Sequence, residues 1–231
     1  MVRAEAGADF RARAAKRIAG WEGSRRERAQ QIAVAAGAGG TSGAIAVDFL
    51  CAALNAALGQ DDIVINEAIR NSVPVLNQIA RTRPQTYFGL SGGGLGFSGG
   101  MALGAKLARP GSRIVQIVGD GGFHFSTPTS VYAVAQQYAL PIFTVVLDNG
   151  GWQAVKESVL RVYPKGTAAG ANAFQSRLEG RQRQFEQVAR AFGAHGETVT
   201  QPAEVAGAIG RCLAAVDAGQ AAVLVARVTP L

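Results

Sequence analysis

Residues 116–123 read QIVGDGGF: an apolar run that ends on one carboxylate, Asp120, held between glycines. A β-branched run bounded by a glycine-rich turn reads as a buried strand, with the acid at its carboxyl end. The pattern recurs at 142–152, IFTVVLDNGGW, where the strand runs into Asn149 and is followed by Gly150 and Gly151. A helix near 128–138 and the pair Leu140-Pro141 connect the two strands, which makes them parallel neighbours. Strands apolar throughout and separated by helices belong to a parallel sheet covered on both faces. Ligands of such sheets bind at the carboxyl ends of the strands, where Asp120 and Asn149 fall. A carboxylate and an amide oxygen are hard donors that suit Mg²⁺, and the N–H groups of Gly121 and Gly122 suit a phosphate. Taken singly, Asp120 also reads as a helix cap and Asn149 as a turn residue.

On both sides of this pair the element types alternate. Residues 3–37 predict a polar helical arm, and TSGAIAVDFLCAALNAAL predicts a core-facing helix capped by Thr41 or Ser42. DDIVINE at 61–67 predicts a strand, 71–81 a helix, TYFGL a short extended piece and MALGAKLA a helix of small residues. After Asn149 come a helix at about 152–160, a helix near 183–192, a strand around 197–200, a helix at 202–217 and the strand AAVLVARV. The aperiodic, Gly- and Ala-rich segment 164–180 reads as a mobile loop, with Phe174 and Arg177 unplaced. The expected fold is α/β: one doubly wound parallel-sheet domain over 38–231, preceded by a helical arm over 1–37.

Composition narrows the function. The 231 residues are 48% hydrophobic and 17% charged, enough for one sizeable core. No apolar run is long enough to span a membrane, and the start shows no signal-peptide pattern. Cys51 and Cys212 lie alone in apolar helical patterns, which fits reduced thiols and the cytoplasm. The net charge of +7 sits on arginines at 11–29 and 177–190 interleaved with Glu22, Glu27, Glu179 and Glu186, without an aromatic-basic stripe, so nucleic acid is not the expected partner. A competing motif is GxGxxG at Gly94, Gly96 and Gly99, with Asp120 downstream, which would serve an NAD(P)-dependent oxidoreductase. It follows only the short, glycine-broken TYFGLSG, whereas a dinucleotide motif should follow a strong strand directly.

The combination GDGGF and ALPIFTVVLDNGGW resembles the GDG…N signature of thiamine diphosphate enzymes of the acetolactate synthase, benzoylformate decarboxylase and 2-hydroxyacyl-CoA lyase superfamily. SGGGLGFSGGMALGAKLARPGSRIV is similar to the segment preceding that signature, so the resemblance runs from about 61 to 160 and loosely beyond. It implies thiamine diphosphate and Mg²⁺ as cofactors. Asp120, the side-chain oxygen of Asn149 and the carbonyl of Gly151 would hold the metal, and Gly121 and Gly122 would contact the diphosphate. Leu95 would wedge the cofactor into its bent form, the Gly93 carbonyl would accept from its 4′-amino group, and Gly96 and Trp152 would line its site.

Two departures stand out: Asp148 replaces a first Asn common in the family, and Gly99, Gly100 and Met101 replace a usual proline and alanine. The resemblance also implies a pyrimidine-binding domain carrying an activating glutamate, and no second sheet series for it is visible in these residues. The expectation is a split enzyme, a heterotetramer or larger, in which a second subunit completes the active site. Its substrate would be a 2-oxo acid, an acyloin or an acyl-CoA. A noncatalytic assembly subunit is the other reading. Glu67, at the end of the first strand, is the one acid in a suggestive place, and otherwise a polar strand-end residue. His124 is open between proton relay and packed loop residue, His195 reads as a turn residue without a partner, and Lys156 and Glu157 as an exposed helix turn or a substrate contact.

Overall fold

In the computed structural model, which describes residues 7–89, 94–178 and 180–230, the chain starts with a long polar helix, α1 (Ala8–Gly37), that buries no residue. Two-residue strands β1 (Gly40–Thr41) and β2 (Ala44–Ile45) then form an antiparallel hairpin ahead of α2 (Val47–Ala57). The capping role expected for Thr41 or Ser42 is therefore not realised. Ala46 occupies the cap position without a side-chain bond. Gly40 and Gly43 take φ of +86° and +72°, which closes the hairpin, and Gly43 N–H bonds the Thr200 carbonyl at 2.7 Å.

The main sheet is built from β3 (Ile63–Glu67), β4 (Tyr87–Phe88), β5 (Ile114–Gly119), β6 (Phe143–Asp148), β7 (His195–Val199) and β8 (Ala222–Arg227). Its order is β4-β3-β5-β6-β8-β7, and every pairing is parallel. The connecting helices are α3 (Ser72–Gln78), α4 (Phe97–Ala108), α5 (Asp120–Phe125), α6 (Pro128–Gln137), α7 (Gln153–Val162), α8 (Thr167–Ala171), α9 (Phe185–Arg190) and α10 (Val205–Asp217). The short α5 is a correction: the residues after Asp120, expected to be a turn leading into a loop, form a six-residue helix, and His124 lies on it.

Strand periodicity distributes side chains to both faces. Val145 packs with Leu50, Leu54, Val75, Ile209 and Leu224 on one side. Its neighbour Val146 packs with Phe123, Tyr132, Phe185 and Val223 on the other, and a third cluster around Ile65, Leu103, Val131 and Ile142 extends that side. Each such side chain contributes about 1.5–3 kcal/mol over remaining exposed, which explains why β3, β5, β6 and β8 are apolar almost throughout.

Polar interruptions of the strands are paired. Tyr132 Oη donates to Thr144 Oγ1 (2.8 Å), Thr144 to Gln116 Oε1 (2.8 Å), and Gln116 Nε2 to Ser98 Oγ (2.7 Å), all buried. Desolvation raises the Tyr132 phenol well above its usual value, so it stays a donor.

The topology also makes a crevice. From β3 the chain leaves toward the edge strand β4, and from β5 it leaves the opposite way, to β6. The loops after these two neighbours diverge, which opens the sheet's carboxyl edge between Glu67 and Asp120.

Candidate functional site

A cleft of about 250 Å³ occupies that crevice, lined by Glu67, Arg70, Leu95, Asp120, Gly121, Gly122, Asn149, Gly151, Trp152 and Gln153 among others. Of the residues singled out in the sequence, Leu95, Asp120, Gly121, Gly122, Asn149, Gly151 and Trp152 all meet here. Gly96 borders the cleft through its bond to Glu67, and Gly93 lies outside the described residues.

Asp120 follows the last residue of β5 and is 2% exposed. Its Oδ1 accepts from Gly121 N–H (2.8 Å), and its Oδ2 from Gly150 N–H (2.9 Å) and Gly151 N–H (2.7 Å). Burial holds this carboxyl above the usual carboxylate value, and the N–H groups of Gly121, Gly151 and Gly150 and the charge of Arg183 pull it partly back.

Asn149, the residue after β6, is also buried, and its Oδ1 has no hydrogen-bond partner. An amide oxygen without a partner in a buried site costs free energy unless something outside the chain takes it up. An amide oxygen and a carboxylate lining one cleft are hard donors of the kind that could hold a cation such as Mg²⁺, completed by water and phosphate.

Gly151 is required on two counts. Its φ is +139°, and a Cβ would fall 2.0 Å from the Ser176 carbonyl oxygen. Gly121 and Gly122 leave room of the same kind: a Cβ would meet the Trp152 ring at 2.4 Å and Glu67 Oε1 at 2.9 Å respectively. The glycines around Asp120 thus let two side chains close directly onto α5.

Glu67, left open by the sequence, has a defined position. Its Oε1 accepts from Gly96 N–H and its Oε2 from Ser98 N–H (2.8 Å), so this buried carboxylate caps α4 from the end of β3. The arrangement bears on GxGxxG. The helix-terminal N–H groups that a dinucleotide pyrophosphate would need are taken by Glu67, and Gly99 serves close packing, since a Cβ there would meet Val131 at 2.8 Å.

Among the cleft-lining side chains Leu95 is 38% exposed, and Ile69 and Val155 are exposed too; Val73 and Leu76 on α3, Val162 on α7 and Tyr163 just after it are further exposed apolar residues. Arg70, which lines the cleft, pairs with Glu157 on α7 (2.6 Å), which gives Glu157 a partner the sequence did not suggest. Lys156 lies 5.2 Å from the Phe174 ring centroid. Trp152 Nε1 and Gln153 Oε1 are buried in the cleft without partners, and Gln153 was not singled out in the sequence because a lone Gln at a helix start carries no motif.

His124 is exposed and packs edge-on to Phe185 (5.2 Å between centroids) and near Trp152 (6.2 Å). Segment 164–180 carries the short helix α8, and its far half pairs back on the turn after β6, through Trp152 N–H to Ser176 O (2.8 Å) and Leu178 N–H to Gly150 O (2.9 Å). Arg177 sits in that pairing, opposite Gly151.

Elsewhere, His195 has a partner after all: its Nε2 lies 3.0 Å from Glu197 Oε1, with Cys212 Sγ 3.7 Å from the same oxygen. Arg211 already satisfies Glu197 (2.6 Å), so the charge there is balanced without a metal. Both cysteines are buried and free, and burial raises the Cys51 thiol to about 12. Among the described residues no helix is long and apolar enough to cross a membrane.

Comparisons with known proteins agree with this geometry. Benzoylformate decarboxylase of Pseudomonas aeruginosa is 30% identical over 103 residues, 45% of this chain and 19% of that protein. The acetolactate synthase large subunit of Mycobacterium tuberculosis is 33% identical over 122 residues, 53% of this chain and 20% of that protein. The chain thus spans about a fifth of the length of these curated relatives. The solved thiamine diphosphate-dependent 4-hydroxybenzoylformate decarboxylase of Rhodococcus jostii RHA1 shares the fold, with a TM-score of 0.68 at 24% identity over 81% of this chain and 33% of its own. The family model of the thiamine pyrophosphate enzyme C-terminal TPP-binding domain matches residues 71–226, most of the chain and all of the cleft except Glu67, Ala68, Ile69 and Arg70, and the chain accordingly belongs to that family.

Proposed function

We propose that this domain binds Mg²⁺ and thiamine diphosphate, and that with a second subunit it cleaves or forms a carbon–carbon bond next to a carbonyl. The observation that carries the reading is the partnerless Oδ1 of buried Asn149 in the same cleft lining as the Asp120 carboxylate, two hard oxygen donors suited to a cation. Asp120, Asn149 and the Gly151 carbonyl would hold the metal, and Gly121 and Gly122 would face the diphosphate.

When bound, the cofactor supplies the nucleophilic carbon that attacks a substrate carbonyl. The chain's own residues position and shield. Leu95, at the lip of the cleft, offers the apolar wedge, Trp152 closes over Gly121, and Trp152 Nε1 is a free donor toward whatever enters. The apolar lip keeps water from the reacting centre.

Glu67 and Asp120 are the two acids lining the cleft among the described residues, and neither is free to activate the cofactor. Glu67 spends both oxygens on the cap of α4, and Asp120 faces the metal position. The resemblance implies an activating glutamate on a pyrimidine-binding domain, which we assign to a partner chain seated on the exposed apolar side chains near the cleft. Substrate candidates are 2-oxo acids, acyloins and 2-hydroxyacyl-CoA thioesters, and the buried, unpaired thiols fit a reducing compartment such as the cytoplasm.

Calorimetric titration with thiamine diphosphate, with and without Mg²⁺, and with NAD(P) tests the reading. The expected result is metal-dependent binding of thiamine diphosphate that Asp120→Ala removes. NAD(P) binding indifferent to Mg²⁺ and to Asp120→Ala overturns it.

A further inference from the structure

Asp148, the residue before Asn149, is fully buried at the end of β6 and does not line the cleft. Its carboxylate is nonetheless the most heavily bonded one near the site. Oδ1 accepts from Arg183 Nε (3.0 Å) and Gly150 N–H (3.0 Å) and lies 2.9 Å from Arg183 Nη2. Oδ2 accepts from Arg183 Nε (3.1 Å) and is paired with Arg227, at the end of β8. Arg227 Nη2 in turn donates to the Arg183 carbonyl (3.2 Å), which closes the triad.

Two features connect this triad to the metal position. Gly150 N–H is shared between Asp148 Oδ1 and Asp120 Oδ2, so one amide is aimed by both carboxylates. Arg183 closes the segment whose Ser176 and Leu178 pair with Trp152 and Gly150. The turn Asn149–Gly151 is thereby held from the β5 side by Asp120, from the segment side by backbone pairing, and from beneath by Asp148.

We propose that Asp148, balanced by Arg183 and Arg227, is a positioning residue for this turn, and that it sets the aim of Asn149 Oδ1 and the Gly151 carbonyl and so the affinity for the metal–diphosphate pair. The inference rests on the function proposed above. It accounts for the aspartate where an asparagine is common in the family: an amide of the same shape offsets none of the charge of Arg183 and Arg227, and uncompensated charge this deep is costly. Asp148→Asn keeps the side chain's size but removes the carboxylate that Arg183 and Arg227 share, which adds one unit of uncompensated positive charge beside the position a cation would take.

The test uses the whole chain carrying Asp148→Asn, the same change combined with Arg227→Met, and Asp217→Asn, which breaks a remote surface pair with Arg113, as control. In the metal-free proteins, amide exchange at Gly150 and Gly151 is expected to speed up about tenfold in Asp148→Asn and to stay unchanged in the control. In calorimetry, Mg²⁺-dependent binding of thiamine diphosphate is expected to weaken about tenfold, the effect usual for a lost supporting bond at a metal ligand, and to recover in part when Arg227→Met removes the excess charge.

Unchanged exchange at Gly150 and Gly151 overturns the inference whether or not the wild type binds the cofactor. So does wild-type binding that Asp148→Asn leaves intact, or a double variant no better than the single one. A wild type that binds no thiamine diphosphate, with exchange accelerated as expected, overturns instead the functional reading and the role assigned to the turn in metal affinity.

Discussion

Two buried carboxylates stand at neighbouring strand ends, Glu67 after β3 and Asp120 after β5, and both line the same cleft. Their surroundings assign them different work. Glu67 has both oxygens on the N–H groups that start α4. Asp120 also accepts backbone N–H groups, yet its neighbour Asn149 keeps an oxygen without a partner. A buried acid at a switch point is therefore not by itself a ligand. What marks the ligand side is the unsatisfied oxygen beside it, because native structures seldom leave one.

The most severe way to break this comparison is to remove the cap. Glu67→Ala leaves Gly96 and Ser98 N–H unsatisfied in a buried place and is expected to destabilise the fold by about 3 kcal/mol in urea unfolding, against about 1 kcal/mol for Glu67→Gln, which retains one acceptor. If Glu67→Ala unfolded at the wild-type midpoint, the capping role would be wrong.

Next comes the packing on the other carboxylate. In Gly121→Ala the new methyl falls on the Trp152 indole, and an inserted methyl in a filled site costs about 1–3 kcal/mol. The ring must turn away from α5. The expected result is a shift of Trp152 emission together with loss of cofactor binding, and unaltered emission would show that the glycine is not needed for this approach.

These two glycine-and-acid settings also show how far the sequence could be read. The strands, their parallel order and the meeting of Asp120 with Asn149 were legible because buried parallel strands are apolar without interruption, and glycines punctuate their ends. The cap expected at Thr41 or Ser42 failed because Gly40 and Gly43 form a hairpin anchored to Thr200, a partner far away in sequence. The helix after Asp120 was hidden because two glycines weaken any helical signal, and burial against Phe185 and Trp152 decides its form. Glu67 as a cap, and Arg183 and Arg227 around Asp148, are long-range pairs that no local pattern announces.

A pH titration sharpens the contrast further. Burial raises the Asp120 carboxyl above its reference value of 3.8, so the native state holds this proton more tightly than the unfolded chain. In the metal-free protein the stability contribution of protonated Asp120 is present below the reference value and is lost as pH rises through the raised one. Metal binding has the opposite sign, since only the carboxylate is a ligand: below the raised value Mg²⁺ affinity is expected to fall about tenfold per pH unit, about 1.4 kcal/mol. Calorimetry at stepped pH checks this, and an affinity that stayed flat until the ordinary aspartate range would remove Asp120 from the ligand set or show that its burial is relieved.

The smallest expected effect lies beside the cleft, where its lining residue Arg70 pairs with Glu157 of α7, with side chains 36% and 37% exposed. An ion pair that wet is screened and gives back in side-chain order much of what it gains, so Glu157→Gln should change the stability of the isolated chain by less than about 0.5 kcal/mol. The pair therefore does not hold the cleft shut. Covered by a partner chain on the apolar lip formed by Val73, Leu76, Val155 and Val162, the same two charges would lose water and face each other in a lower dielectric. There, truncating one of them would strand the other and cost about 2–5 kcal/mol in the association. A Glu157→Gln substitution silent in urea unfolding but costly in binding the second subunit is the outcome that places the interface across the mouth, and equal silence in both measurements moves it elsewhere.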